Sequence, residues 1–173
     1  MEKLLILLVT VIVPAMCLAQ GKDVFDTARS GTVDQMKILV QKNKDTINAV
    51  SPMGYTPLLL ACYRGNVPVA EYLIGSVKDV NVNTSNGTAL AAAVVKGNVK
   101  LAKLLLEHKA NPNIADPAGV TPLVYAVQFE NIELIKLLLQ YKADPTAKDN
   151  EGHSVYDHAA FSKNEEIIKL FKK

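Results

Sequence analysis

The chain has 173 residues, 49% of them hydrophobic but only 6% aromatic and none tryptophan, with 19 Lys or Arg against 17 Asp or Glu. That length suits a single domain. A net charge of +2 with interspersed signs leaves no electrostatic footprint for nucleic acid or an anionic membrane surface, and small and aliphatic side chains suit helix stacked on helix.

Residues 1–19 read as a segment outside the fold. Met1, Glu2 and Lys3 form a short n-region, Leu4 to Val13 is apolar except for Thr10, and Pro14 opens a cleavage region ending Cys17-Leu18-Ala19. This is the pattern of a secretory signal peptide cut before Gln20, and the run is short for a membrane span. The alternatives are a retained anchor and a lipidated Cys17; Met16, where a small residue is expected, speaks against the second. Once the leader is removed, Cys62 is the only cysteine. It falls in phase with Ala28, Val94 and Val127, so a buried and inert thiol is expected.

From residue 20 onward the chain repeats itself. Thr56-Pro57-Leu58, Thr88-Ala89-Leu90, Thr121-Pro122-Leu123 and a worn Ser154-Val155-Tyr156 follow one another at spacings of 32, 33 and 33. A period near 33 means stacked helical pairs. The first unit, 20–50, is an N-terminal cap: aligning Gly31 with Gly65 puts Val24 at the place of Leu58, Ala28 at Cys62 and Leu39 at Leu73, while Asp34, Gln35 and Lys37 face water. The second, 51–82, has Gly54 in its loop, Gly65-Asn66 at its turn, Pro68 tolerated at the start of a helix, and Val69, Tyr72 and Leu73 inward.

The third unit, 83–115, is one residue short between Gly87 and Thr88. Its triplets Asn83-Thr84-Ser85 and Asn86-Gly87-Thr88 have the N-glycosylation pattern, which matters only in a eukaryotic secretory host. In the fourth, 116–148, Thr121 accepts backbone N–H bonds as an N-cap and Pro122 gives up only an N–H without an intrahelical partner. Ile132, Ile135, Leu138 and Leu139 then mark a longer amphipathic helix. The last unit, 149–173, is a C-terminal cap with Ile167, Ile168, Leu170 and Phe171 inward and Glu165, Glu166, Lys169, Lys172 and Lys173 outward. Capped ends imply a complete protein and a monomer.

At these residues the sequence resembles an ankyrin-repeat protein. Asp116, Gly119, Thr121, Pro122, Leu123, Ala126, Leu138, Leu139, Ala143 and Asp144 match the family pattern. The motif histidine is replaced by Leu59, Ala91, Val124 and Asp157, the turn glycine by Glu130, and the glycine ending the second helix by Lys109 or Lys142. A left-handed lysine there costs about 1–2 kcal/mol, partly offset by positive charge at a helix C-terminus. The resemblance implies an all-α solenoid over residues 20–173, and the leader and the style of the repeats imply a bacterial protein of the periplasm or exterior.

No G-x-S-x-G elbow, phosphate-cradling glycine loop, H-E-x-x-H or C-x-x-C is present. His153 and His158 lie five apart without a third ligand at evident spacing, so neither metal nor cofactor is expected. What remains is a surface. The resemblance implies a concave, protein-binding face in which the row two before the turn holds Arg29, Tyr63, Val95, Gln128 and Phe161, and the next row holds Ser30, Arg64, Lys96, Phe129 and Ser162. Loop tips add Met53, Tyr55, Val120 and His153. Tyr63, Phe129, Phe161, Tyr55 and Arg64 include the residue types that anchor interfaces. The expected function is therefore non-enzymatic binding of a protein partner: an envelope enzyme, a toxin neutralised by its immunity protein, or a host protein. The rival from another class is an enzyme with a site around His153, Asp157 and His158.

Overall fold

Threonine and serine hydroxyls start the first helix of each of the last four units. Thr56, Thr88, Thr121 and Ser154 accept the backbone N–H of Leu59, Ala91, Val124 and Asp157 at 3.0, 3.1, 3.4 and 3.4 Å. All four caps are buried, so each hydroxyl satisfies a donor that water cannot reach. Asparagine caps the second helices of the third and fourth units in the same way: Asn98 accepts from Leu101 and Asn131 from Leu134, each at 3.0 Å.

The computed structural model describes residues 22–172; the expected leader and its cleavage site lie outside them. Every regular element among the described residues is helical. The order is α1 (Val24–Ser30), α2 (Val33–Lys42), a 3-10 turn (Lys44–Asn48), α3 (Pro57–Arg64), α4 (Val67–Ile74), α5 (Ala89–Val95), α6 (Val99–Glu107), α7 (Pro122–Gln128), α8 (Ile132–Gln140), α9 (Val155–Ser162) and α10 (Glu165–Phe171). Helices α1, α3, α5, α7 and α9 pack on one another in sequence, and α2, α4, α6 and α8 form a second row behind them. The all-α solenoid expected from the repeats is what forms.

The core runs unbroken along the stack. Leu59, Leu73, Leu90, Leu101, Leu105, Leu123, Leu134, Ile135 and Leu138 are sealed from water, each worth about 1.5–3 kcal/mol of burial. Ala61, Ala93 and Ala126 occupy one position in three successive first helices and are fully buried, which lets those helices approach closely. Cys62 is buried as expected, and desolvation pushes its thiol up to about 12.

Some inward assignments shift. In α8 the sealed residues are Leu134, Ile135 and Leu138, with Ile132 and Leu139 on the flanks, because the face pressed on α7 centres on Ile135. Met36 of α2 is sealed in the first unit, where Leu39 is only half-buried. In the last, Ile167 alone of the four expected residues is sealed; Ile168, Leu170 and Phe171 stay half-buried. The shifts in the first and last units sit at ends of the stack, where a helix has a neighbour on one side only.

The backbone takes the left-handed conformation at Lys109 (φ 66°) and Lys142 (φ 64°), as expected, and also at Glu130 (φ 52°) and Lys163 (φ 56°). Gly31 does not: its φ is −90°, unlike Gly65 at 72°. The alignment of those two glycines carries the packing of Val24 and Ala28 but not the turn. Asn66 compensates by turning its amide on the first unit, donating to the carbonyls of Ala28 (3.1 Å) and Gly31 (3.0 Å). Further along, asparagines bridge successive units: Asn81 donates to Lys109 O and accepts from Asn111 N, and Asn113 donates to Lys142 O and accepts from Asp144 N.

Candidate functional site

The loop tips differ in one atom that decides much of the surface. At the base of each tip sits a short polar residue: Ser51, Thr84, Asp116 and Asp149. Ser51 Oγ accepts the N–H of Tyr55 (3.0 Å), and Thr84 Oγ1 that of Asn86 (3.1 Å). Asp116 Oδ1 accepts those of Ala118 and Val120, and Asp149 Oδ1 those of Glu151 and His153, all at 2.9–3.0 Å. A hydroxyl has one oxygen and is spent on the tip. A carboxylate has a second, and in both aspartates it reaches the first helix: Tyr125 donates its phenol O–H to Asp116 Oδ2 (2.6 Å), and His158 Nε2 donates to Asp149 Oδ2 (2.7 Å).

These ties perturb titration. Burial, then the hydrogen bond to Asp116 and its charge, pushes the Tyr125 phenol up to about 12. Asp149 is held below the usual carboxylate range chiefly by the hydrogen bond from His158, helped by the backbone donors and opposed by burial.

The third unit is different again. Its missing tip residue closes the loop directly, Thr84 N to Gly87 O at 3.2 Å, and its helix α5 presents Ala91 and Ala92 where α3 has Leu59-Leu60 and α7 has Val124-Tyr125. The result is a groove of about 260 Å³. Gly87, Ala91 and Ala92 make its floor, Tyr55, Leu59 and Tyr63 one wall, and Tyr125 with Asp116 the other.

The structure gathers most of the sequence-predicted residues into four groups and leaves Met53 and Val120 apart from them. Tyr55, Tyr63 and Val95 line the groove, and Lys96 reaches back over the Tyr63 ring with its ammonium 4.3 Å from the ring centre. Arg64 and Lys96 border a shallower, polar depression beside Gly65 and Asn98. Phe129 is 57% exposed and stacks on Tyr125, ring centres 6.4 Å apart, with Gln128 exposed beside it. His153 and Phe161 meet edge to face at 5.2 Å. Met53 projects alone at its tip, 74% exposed, with its carbonyl held by Asn86 at 2.7 Å. Val120 packs inward against the core.

Sequence reasoning missed Asp116, Tyr125 and the alanine floor. The signal was available in the Ala91-Ala92-Ala93 run beside a one-residue deletion, since neither alone empties enough space. The rival enzyme reading grouped His158 with Asp157, and that grouping does not form. Asp157 is bound to Ser154, accepting from both its N–H (2.7 Å) and its hydroxyl (2.6 Å), whereas the imidazole faces Asp149 nine residues away. His158 and Asp157 therefore do not form a base and its orienter.

The sequence matches the family described as ankyrin repeats (3 copies) over residues 24–116, and ankyrin repeats (many copies) over residues 105–159. It is 34% identical over 110 residues to a putative ankyrin repeat-containing protein of Treponema pallidum, covering 62% of this chain and 37% of that protein. It is 35% identical over 91 residues to the putative ankyrin repeat protein YahD of Escherichia coli, covering 48% and 45%. Against the ankyrin repeat and SAM domain-containing protein 6 of Rattus norvegicus it is 30% identical over 101 residues, 57% of this chain but 11% of that protein. The chain thus spans less than half the length of each of these relatives.

Proposed function

Given that this chain belongs to the ankyrin-repeat family, whose repeats are protein–protein interaction modules, we propose that it is an exported, non-enzymatic binder of a protein partner in the bacterial envelope. The observation that carries this reading is the groove over α5. Its floor is methyl and methylene, phenolic rings stand in both walls, exposed Tyr63 belongs to one of them, and exposed Phe129 stacks behind Tyr125 of the other. Tyrosine offers large apolar area with a polar tip and only two side-chain torsions to immobilise, the properties that concentrate binding energy in a few anchors. A stretch of partner chain inserting one apolar side chain onto the alanine floor would contact both walls at once.

The backbone beneath is already fixed by Thr caps and inter-unit amides, so binding orders little of it. The signal-peptide pattern of residues 1–19 supports export. Affinity capture from the envelope fraction, run with the wild-type chain beside Tyr63→Ala/Phe129→Ala and read by mass spectrometry, tests the site. Each truncation of an anchor costs about 2 kcal/mol, so the expected outcome is a partner held by wild type and lost from the variant at an unchanged unfolding midpoint. A partner retained in full by the variant overturns this placement of the site.

A further inference from the structure

Asp149, His153 and His158 converge on one point at the last loop tip. One potential ligand atom from each lies within 4.8 Å of the others. The sequence conceals this because the carboxylate sits four residues before one histidine and nine before the other, a spacing that only the tip loop and the first turn of α9 bring together.

We propose that this cluster binds a transition-metal dication of the zinc type through two imidazoles and one carboxylate. The donor set is right for such an ion and wrong for magnesium or calcium, which prefer oxygen ligands only. Tetrahedral coordination at about 2.0–2.1 Å puts neighbouring ligand atoms about 3.3 Å apart and the centres of two imidazoles about 5 Å apart. The His153 and His158 rings stand 5.9 Å apart at 80°, so a small approach suffices. Asp149 Oδ2 and His158 Nε2, now 2.7 Å apart through the Nε2–H, open by about 0.6 Å as the metal takes that proton's place; the Nε2 proton leaves to solvent and Nδ1 carries the ring's one remaining proton, taken up from solvent where the imidazole started neutral, so the ligand is a neutral imidazole.

Each ligand is held by something else. Asp149 keeps Oδ1 on two backbone N–H groups, while Oδ2 faces His158 and turns to the metal once the Nε2 proton has left. The backbone of His153 both donates to Asp149 Oδ1 and accepts from Asp149 N (3.0 Å). His158 is anchored in α9, its N–H on Ser154 O. Phe161 covers the histidines on one side, its ring centre 5.2 Å from His153 and 6.2 Å from His158. The exposed Glu151 carboxylate stands beside the cluster, 3.5 Å from His153 Nδ1. Such outer support fixes ligand orientation before the metal arrives.

The fourth unit supplies its own control. Asp116 and Tyr125 make the same tie with a phenol that is a far poorer ligand at neutral pH, so His158→Tyr should preserve the loop while removing a donor. The test is titration of the untagged protein with Co²⁺, followed by visible absorption, then displacement by Zn²⁺. One Co²⁺ per chain is expected. His153→Ala, at an exposed tip, and His158→Tyr should each weaken binding at least about tenfold, whereas His108→Ala, on another unit, should leave it unchanged. Absence of binding at micromolar metal, or binding that survives His153→Ala and His158→Tyr, overturns the proposal.

Discussion

The fourth and fifth units solve one problem with two chemistries. In each, an aspartate closes the tip with one oxygen and ties the tip to the first helix with the other, over nearly identical distances. Where the tied group is a phenol, the result is a strut beside an apolar groove. Where it is an imidazole with a second imidazole at the tip, the same strut becomes a set of metal ligands. A repeat fixes geometry through its backbone, and one side-chain exchange within that geometry changes what the surface can bind.

Their glycines break the symmetry most. Gly119 and Gly152 share a left-handed backbone, φ 79° and 86°. A Cβ on Gly119 would lie 2.8 Å from Asn150 N and 3.0 Å from Asp149 Cα, because the next tip packs against it; a Cβ on Gly152 meets nothing within 4 Å. Gly119→Ala should therefore cost about 2–4 kcal/mol, conformational strain plus a backbone clash. Gly152→Ala should cost only the strain, about 1–2 kcal/mol. Urea unfolding of both variants checks this, and equal costs would mean the tips are not pressed together as described.

Removing the phenol tests the strut itself. Tyr125→Phe loses one hydrogen bond, about 1 kcal/mol at neutral pH. Because folding raises the phenol from its ordinary value near 10 to about 12, the extra stability is fully present below pH 10 and is lost as pH climbs towards 12. Wild type and Tyr125→Phe should differ at pH 8 and converge in that alkaline window, as read from unfolding midpoints. A gap that stays constant would show that the difference does not come from the protonated phenol's hydrogen bond to Asp116.

The smallest effect concerns the departures from glycine. Lys142→Gly and Lys109→Gly should each stabilise by about 0.5–1 kcal/mol, since glycine accepts φ near 65° freely and only a modest helix-end charge is lost. Thermal midpoints rising by a few degrees would agree. A fall would show that the lysine side chain contributes more than charge.

The sequence by itself determined the period, the helix starts and the stack, because these rest on local chemistry: a hydroxyl followed by proline, an apolar stripe and a small residue at a fixed phase. It also placed Tyr63, Phe129 and Phe161 at exposed positions. The tertiary structure decided what the phase alone does not encode. Met36 took a core place because burial at an end of the stack depends on which neighbour is present, and Leu134 because α8 turns the face centred on Ile135 towards α7. The groove over α5 required the deletion at Gly87 and the alanines to act on the same volume between two other units. His158 found Asp149 rather than its neighbour Asp157 because consecutive helical residues point apart, while a loop that folds back brings a residue nine positions away within 2.7 Å.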